Sequence, residues 1–149
     1  MFSYYKLFTV LFLCISTLSS AKSTLAEVIK IEFTKYDTYS KEILHIDAGD
    51  TVEWLPTNKG HNVEFIISPQ MGSLPKKSKI NEYYSMIFEE PGIYVYGCTP
   101  HLNTGMLGII VVDNDFHNIE YTNEIDLSPV AHSVLKRLVI KAKSMSETN

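Results

Sequence analysis

Cysteine is nearly absent from this chain. Two occur in 149 residues, Cys14 and Cys98, and Cys14 sits inside an N-terminal apolar run. One cysteine is therefore left for the folded body, which excludes an internal disulfide framework and a two-cysteine haem attachment. Long hydrophobic stretches are missing as well. The apolar run from Leu7 to Leu18 (LFTVLFLCISTL) is too short for a membrane span, which needs about 20 residues. Basic charge is in deficit, with 13 Lys and Arg against 17 Asp and Glu, a net charge of −4. Nucleic acid and anionic membranes are poor partners for such a balance. The 7 glycines and 6 prolines are scattered, so neither a low-complexity segment nor a repeat is expected. No nucleophile–base motif, phosphate-binding glycine loop or His-x-His pair is present.

What is there begins with an export signal over residues 1–26. Lys6 supplies its positive end, the apolar run follows, and small residues offer cleavage after Ala21 or after Ala26. Cleavage after Ala26 would remove Lys6 and Lys22 and no acidic side chain, moving the net charge from −4 to −6. Residues 27–149 then suit one domain with one core. In an oxidising compartment an unpaired thiol is a liability, and serving as a metal ligand is one of few good reasons to keep it.

Short strands separated by turn signals fill the first two-thirds. Val28 to Phe33 alternates, Ile43 to Ile46 is a brief apolar run, and Ala48-Gly49-Asp50 is a turn before Thr51 to Trp54. His61 to Ile67 is a further extended candidate, and Tyr84, Met86 and Phe88 share one face. Glu90-Pro91-Gly92 is a strong turn. After it, Tyr94, Tyr96 and Cys98 alternate with Ile93, Val95 and Gly97, and Leu107 to Val112 is continuously apolar. This pattern predicts an all-β, antiparallel sandwich. Two C-terminal helices are expected, at roughly 117–126 and 129–143. Ser128-Pro129 starts the second, and Val130, Val134, Leu135, Leu138, Val139 and Ala142 recur at helical spacing.

The chemistry concentrates in one loop. Cys98-Thr99-Pro100-His101-Leu102-Asn103-Thr104-Gly105-Met106 spaces a thiol, an imidazole and a thioether as C-x2-H-x4-M, and His61 lies upstream in Gly60-His61-Asn62-Val63. Two imidazoles and a thiolate make a trigonal plane for copper, with a weak axial thioether. Soft sulfur suits Cu(I), and imidazole suits both oxidation states. The predicted ligands are His61, Cys98, His101 and Met106, holding one copper ion that cycles between Cu(I) and Cu(II). A storage or trafficking protein is the competing reading, although such sites tend to be open and rich in methionine. His45, His117 and His132 have no cysteine or methionine at ligand spacing and read as structural or surface residues.

Those residues, with Gly49-Asp50-Thr51-Val52, Lys59 to Glu64, Lys77 to Glu82 and the helical tail, resemble the pseudoazurins of the cupredoxin family. The resemblance implies a Greek-key sandwich of about eight strands, the same four copper ligands, and a one-electron carrier that is not an enzyme. It implies a periplasmic monomer that docks transiently, with a reductase such as copper nitrite reductase as acceptor and a cytochrome-type donor. It also implies an apolar patch around His101, including Leu102, ringed by Lys35, Lys59, Lys76, Lys77 and Lys79. Two departures stand out: the segment between Phe33 and Ile43 is shorter than usual in a loop that normally flanks the copper, and Gly97 replaces a charged residue.

Two neighbours of the ligands carry expectations of their own. The Asn62 amide can bond the Cys98 sulfur or tie the His61 loop to the Cys98 loop. Pro100 lacks an N–H, which removes one donor to the thiolate and should lower the reduction potential.

Overall fold

The computed structural model describes residues 25–148. The first 24 residues, which carry nearly all of the expected export signal, lie outside that range. Among the described residues no helix is long and apolar enough to cross a membrane.

Among the described residues, seven strands form two sheets. β1 (Val28–Glu32), β3 (Thr51–Leu55) and β5 (Tyr84–Ile87) make one, in the order β1-β3-β5. β2 (Ile43–Ile46), β4 (Glu64–Ile67), β6 (Gly92–Gly97) and β7 (Leu107–Val112) make the other, in the order β2-β7-β6-β4. An eighth extended contact is only an isolated bridge between Phe33 and Tyr39. The sheets are not purely antiparallel as the turn pattern suggests. β1 runs parallel to β3, and β2 runs parallel to β7, because the chain changes sheets between these strands.

The strand sequences follow from what covers each face. β3 reads TVEWL with Val52 and Trp54 fully buried and its other three residues half-exposed, the alternation of a strand with one wet face. β6 and β7 are buried at every position. Their inward residues Tyr94, Tyr96, Ile110 and Val112 join Phe33, Trp54, Phe65 and Phe88 between the sheets. Their outward residues Ile93, Val95, Ile109 and Val111 pack with Ala131, Leu135, Leu138 and Ala142 of a helix. Gly108 is required by this arrangement, since a Cβ there would overlap the Tyr96 ring and hydroxyl.

That helix, α2 (Pro129–Ser146), starts where expected. The Ser128 hydroxyl accepts from the Ala131 amide at 3.1 Å and donates to the Asn103 carbonyl at 2.7 Å, so it caps the helix and anchors it to the loop before β7. α2 runs past the expected end at 143, with neither glycine nor proline to stop it. Val130 at its start is exposed rather than part of the buried stripe. The preceding helix, α1 (Tyr121–Glu124), is shorter than predicted. The Asn118 side chain pins that stretch to β6 through the Ile93 N–H (2.8 Å) and carbonyl (2.9 Å), leaving turns where a longer helix was expected.

Candidate metal centre

The β6–β7 hairpin fixes two of the candidate ligands. Its register ends on the pair Gly97 and Leu107, and the Cys98 N–H continues the ladder by donating to the Met106 carbonyl at 3.1 Å. Cys98 and Met106 therefore face each other across the neck of the loop, both buried. Between them, Thr99–Thr104 winds into a 3-10 helix with Pro100 in its first turn, a place that suits proline. The His101 N–H bonds back to the Cys98 carbonyl at 3.0 Å, which turns its side chain toward the sulfur. Gly105, at φ 96°, closes the loop in a conformation that glycine adopts freely.

His61 arrives from a separate loop before β4. The segment 78–81 laces that loop: Val63 N–H donates to the Ser78 hydroxyl (2.9 Å), Ser78 N–H to the Val63 carbonyl (2.9 Å), and Asn81 N–H to the His61 carbonyl (2.9 Å). This explains why the expected strand from His61 begins only at Glu64. The backbone of residues 61–63 is already engaged by side chains and by a neighbouring loop.

Three donor atoms converge. Cys98 Sγ lies 3.7 Å from His61 Nδ1 and 3.5 Å from His101 Nδ1, and the two nitrogens are 3.2 Å apart. A point equidistant from the corners of such a triangle is about 2 Å from each, the length of a first-row metal–histidine bond and slightly short for sulfur. His61 is buried, while the His101 side chain keeps 27% of its surface exposed. Met106 is buried in the same inter-sheet core as Cys98. Two imidazoles and one thiol, with Met106 paired to Cys98 at the neck of the same loop, are a copper-suited donor set.

The electrostatics suit a cation. Burial holds the His61 imidazole below the ordinary histidine value, and the adjacent His101 ring adds to this, while the Asp37 carboxylate pulls the other way. Burial pushes the Cys98 thiol up, the Asn62 and His101 backbone N–H groups oppose that, and the Asp37 and Glu64 carboxylates add to it. A buried thiol loses its proton at a cost that a bound cation offsets, so metal uptake should release a proton.

Asn62 bonds across the two ligand loops. Its Nδ2 donates to Thr99 Oγ1 at 2.9 Å and to the Ser78 carbonyl at 3.2 Å, and its Oδ1 accepts from the Thr99 N–H at 2.8 Å. Its side chain ties three loops, while its backbone N–H favours the Cys98 thiolate. Thr99 also donates to Glu64 Oε2 at 2.6 Å. Gly97 has a packing reason: a Cβ there would meet Leu102 Cδ1 at 2.5 Å, and Leu102 folds back over it, half-buried.

Lys35, Lys59, Lys76, Lys77 and Lys79 are all exposed, as is Pro100. Lys77 pairs with Glu64 (3.4 Å) and Lys79 with Glu82 (3.3 Å), so part of their charge is locally balanced. Lys35 sits over the Tyr36 ring, 5.1 Å from its centre. His117 pairs with Asp115 at 3.0 Å and lies outside the cluster, as do His45 and His132.

Sequence reasoning missed Asp37. Its Oδ1 lies 3.6 Å from His61 Nε2 and 3.9 Å from His101 Nε2. The one available signal was the shortened segment between Phe33 and Ile43, which must still cover the metal end. Tyr39 was also missed: its hydroxyl donates to the Asn62 carbonyl at 2.9 Å.

Comparison with known proteins agrees with this geometry. Residues 28–113 match the family described as copper binding proteins, plastocyanin/azurin family. The chain is 36% identical to a putative pseudoazurin of Rhizobium leguminosarum bv. viciae over 127 residues, 81% of this chain and 82% of that one. It is 39% identical to a pseudoazurin of Paracoccus pantotrophus over 84 residues, 55% and 57% of the two chains. Among solved structures, a pseudoazurin from Sinorhizobium meliloti superposes with a TM-score of 0.71 at 27% identity, covering 79% of this chain and 98% of that one. One from Hyphomicrobium denitrificans gives 0.68 at 25% identity, covering 76% and 97%.

Proposed function

This chain belongs to the copper-binding plastocyanin/azurin family and, within it, to the pseudoazurins, and from that premise we propose that it is a periplasmic one-electron carrier whose copper is held by His61, Cys98, His101 and Met106. The observation that carries this reading is the buried triangle of Nδ1, Nδ1 and Sγ atoms, each drawn from a loop whose backbone is already tied down. Bound there, copper supplies a reversible Cu(II)/Cu(I) couple. The protein's own part is to hold the ligands still. Asn62, Ser78 and Thr99 cross-link the two ligand loops, so little rearranges when the charge on the site changes. The four-ligand set leaves no open position for a substrate, which favours a carrier over an enzyme.

Exchange with a partner would run through the exposed edge of His101. Pro100 and Leu102 would flank it as an apolar contact, and the exposed Lys35, Lys59, Lys76, Lys77 and Lys79 would supply the positive charge around that contact. This arrangement suits brief docking of a monomer on an acidic patch, with attraction that fades as salt rises. A reductase of the copper nitrite reductase type fits as acceptor and a cytochrome-type protein as donor. Residues 1–26 would direct export and then be removed.

The test is the visible spectrum of metal-analysed, copper-loaded protein. An intense thiolate-to-copper band, bleached by reductant, restored by oxidant and abolished in Cys98→Ser, is the expected result. A colourless copper adduct would support storage or transport instead. For docking, Lys59→Glu with Lys77→Glu should slow association with an acidic redox partner at low salt, and an unchanged rate would sink that part.

A further inference from the structure

The loop between β1 and β2 brings a single carboxylate against both imidazoles of the metal centre. Asp37 Oδ1 stands 3.6 Å from His61 Nε2 and 3.9 Å from His101 Nε2. Both nitrogens lie on the ring edge away from the thiol, because both Nδ1 atoms are turned toward Cys98. An imidazole that gives Nδ1 to a metal carries its hydrogen on Nε2 and becomes a better donor there. These separations are charge contacts rather than direct hydrogen bonds, short enough for one oxygen to act on both rings.

The loop is built to hold that carboxylate. Thr34 N–H donates to the Thr38 carbonyl at 2.9 Å, and the two threonine hydroxyls bond at 2.7 Å. Tyr36 N–H donates to Thr34 Oγ1 at 3.2 Å. Phe33 and Tyr39 bridge the base of the loop, the Phe33 ring packs edge-on against His61 with centroids 5.8 Å apart, and Tyr39 bonds the Asn62 carbonyl. Asp37 itself sits at φ 54°, a left-handed conformation that aspartate and asparagine tolerate better than most residues. Among the ion contacts of the described residues, Asp37 pairs only with the two histidines; Lys35 lies over the Tyr36 ring instead. The other carboxylate near the site, Glu64, is offset by Lys77 at 3.4 Å.

We propose that Asp37 is a positioning residue of the copper site, whose carboxylate steadies the Nε2–H groups of His61 and His101 and favours the oxidised form of the metal they hold. This rests on the ligand assignment proposed above. The physical reason is simple: a fixed negative charge a few ångström behind two ligands stabilises the higher-charged ion more than the lower-charged one. Half-exposure of Asp37 brings in solvent screening, so the bias should be moderate and salt-dependent.

Asp37→Asn and Asp37→Gly test it, since both residues accept the left-handed backbone and both remove the charge. The readout is the equilibrium of copper-loaded protein against a small redox couple of fixed potential. At low salt, both variants should lie about five- to tenfold further toward the reduced protein than wild type, and the gap should narrow at 0.5 M salt (roughly the strength at which the screening length falls to a few ångström). In zinc-loaded protein, the Nε2–H protons of His61 and His101 should exchange with water faster in both variants. Equilibria within twofold of wild type in both variants, with the intense visible band intact, would overturn the role of Asp37 while leaving the site itself standing. A wild-type protein that binds copper without that band would overturn the ligand assignment, and this inference with it.

Discussion

On its inner face the four-stranded sheet presents Phe65, Tyr94, Tyr96 and, just beyond β6, Cys98; on its outer face it presents Ile93, Val95, Ile109 and Val111. The inner face is aromatic and carries buried hydroxyls, and it runs straight into the metal centre. Trp54, Phe65 and Tyr96 interlock there with ring centroids 5.2 to 5.9 Å apart. The outer face is aliphatic and seats α2 together with the segment 116–127 that leads into it. Rigid rings beneath Cys98 keep the thiolate from shifting, whereas a helix needs only shape and apolar area. Stability and site geometry are therefore partly separable on opposite sides of a single strand.

The largest effect should come from the outer face. Leu138→Ala opens a cavity between α2 and the sheet and should cost about 3 kcal/mol in denaturant unfolding. The visible spectrum of the copper-loaded variant should stay as in wild type. A spectral shift accompanying the lost stability would show that the two faces are not independent.

Asn62→Ala should act in the opposite sense. It deletes the links to Ser78 and Thr99 and should cost about 2 kcal/mol. Its greater effect should be on the metal, loosening copper by roughly 10- to 100-fold in a competition titration. Unchanged affinity would mean that the ligand loops need no tie.

The same division explains what the sequence made legible. The grouping of His61, Cys98 and His101 was readable because a redox copper site tolerates few residue types, and three of the four proposed ligands, Cys98, His101 and Met106, sit in one nine-residue loop. The alternation of Tyr94, Tyr96 and Cys98 against Ile93 and Val95 was readable because each set is buried in a different core. Parallel pairing of β1 with β3 and of β2 with β7 was not, since crossing between sheets leaves no local signal. Nor was Asp37, whose importance arises only when a distant loop closes over the two rings. The Ser78 and Tyr39 contacts share that origin: ordinary residues become specific through partners 15 and 23 positions away.

Alkaline pH should separate the faces again. Burial, assisted by the Glu90 carboxylate, raises the Tyr94 phenol to about 12, and burial raises Tyr39 and Tyr96 as well. The unfolded chain releases these protons from about pH 10 while the native protein keeps them. Stability is thus level below pH 10 and falls above it, by up to about 1.4 kcal/mol per pH unit for each phenol, with the share of Tyr94 complete near pH 12. Tyr94→Phe should flatten part of that slope in unfolding measured from pH 9 to 11. A slope identical to wild type would place the alkaline sensitivity outside the inner core.

The smallest effect is the most local. Two backbone N–H groups, from Asn62 and His101, already favour the Cys98 thiolate, and Pro100 between the loop ligands has none to give. Pro100→Ala restores an N–H in the first turn of the 3-10 helix, two residues from the sulfur. Any hydrogen bond it makes withdraws charge from the thiolate and favours Cu(I), so the potential should rise, on the order of 20–40 mV for a weak bond. Pro100 is exposed, so the substitution leaves the inner core untouched and stability should move by less than about 1 kcal/mol. A potential that stays put, with the visible band unchanged, would show that the two existing N–H groups already saturate the sulfur.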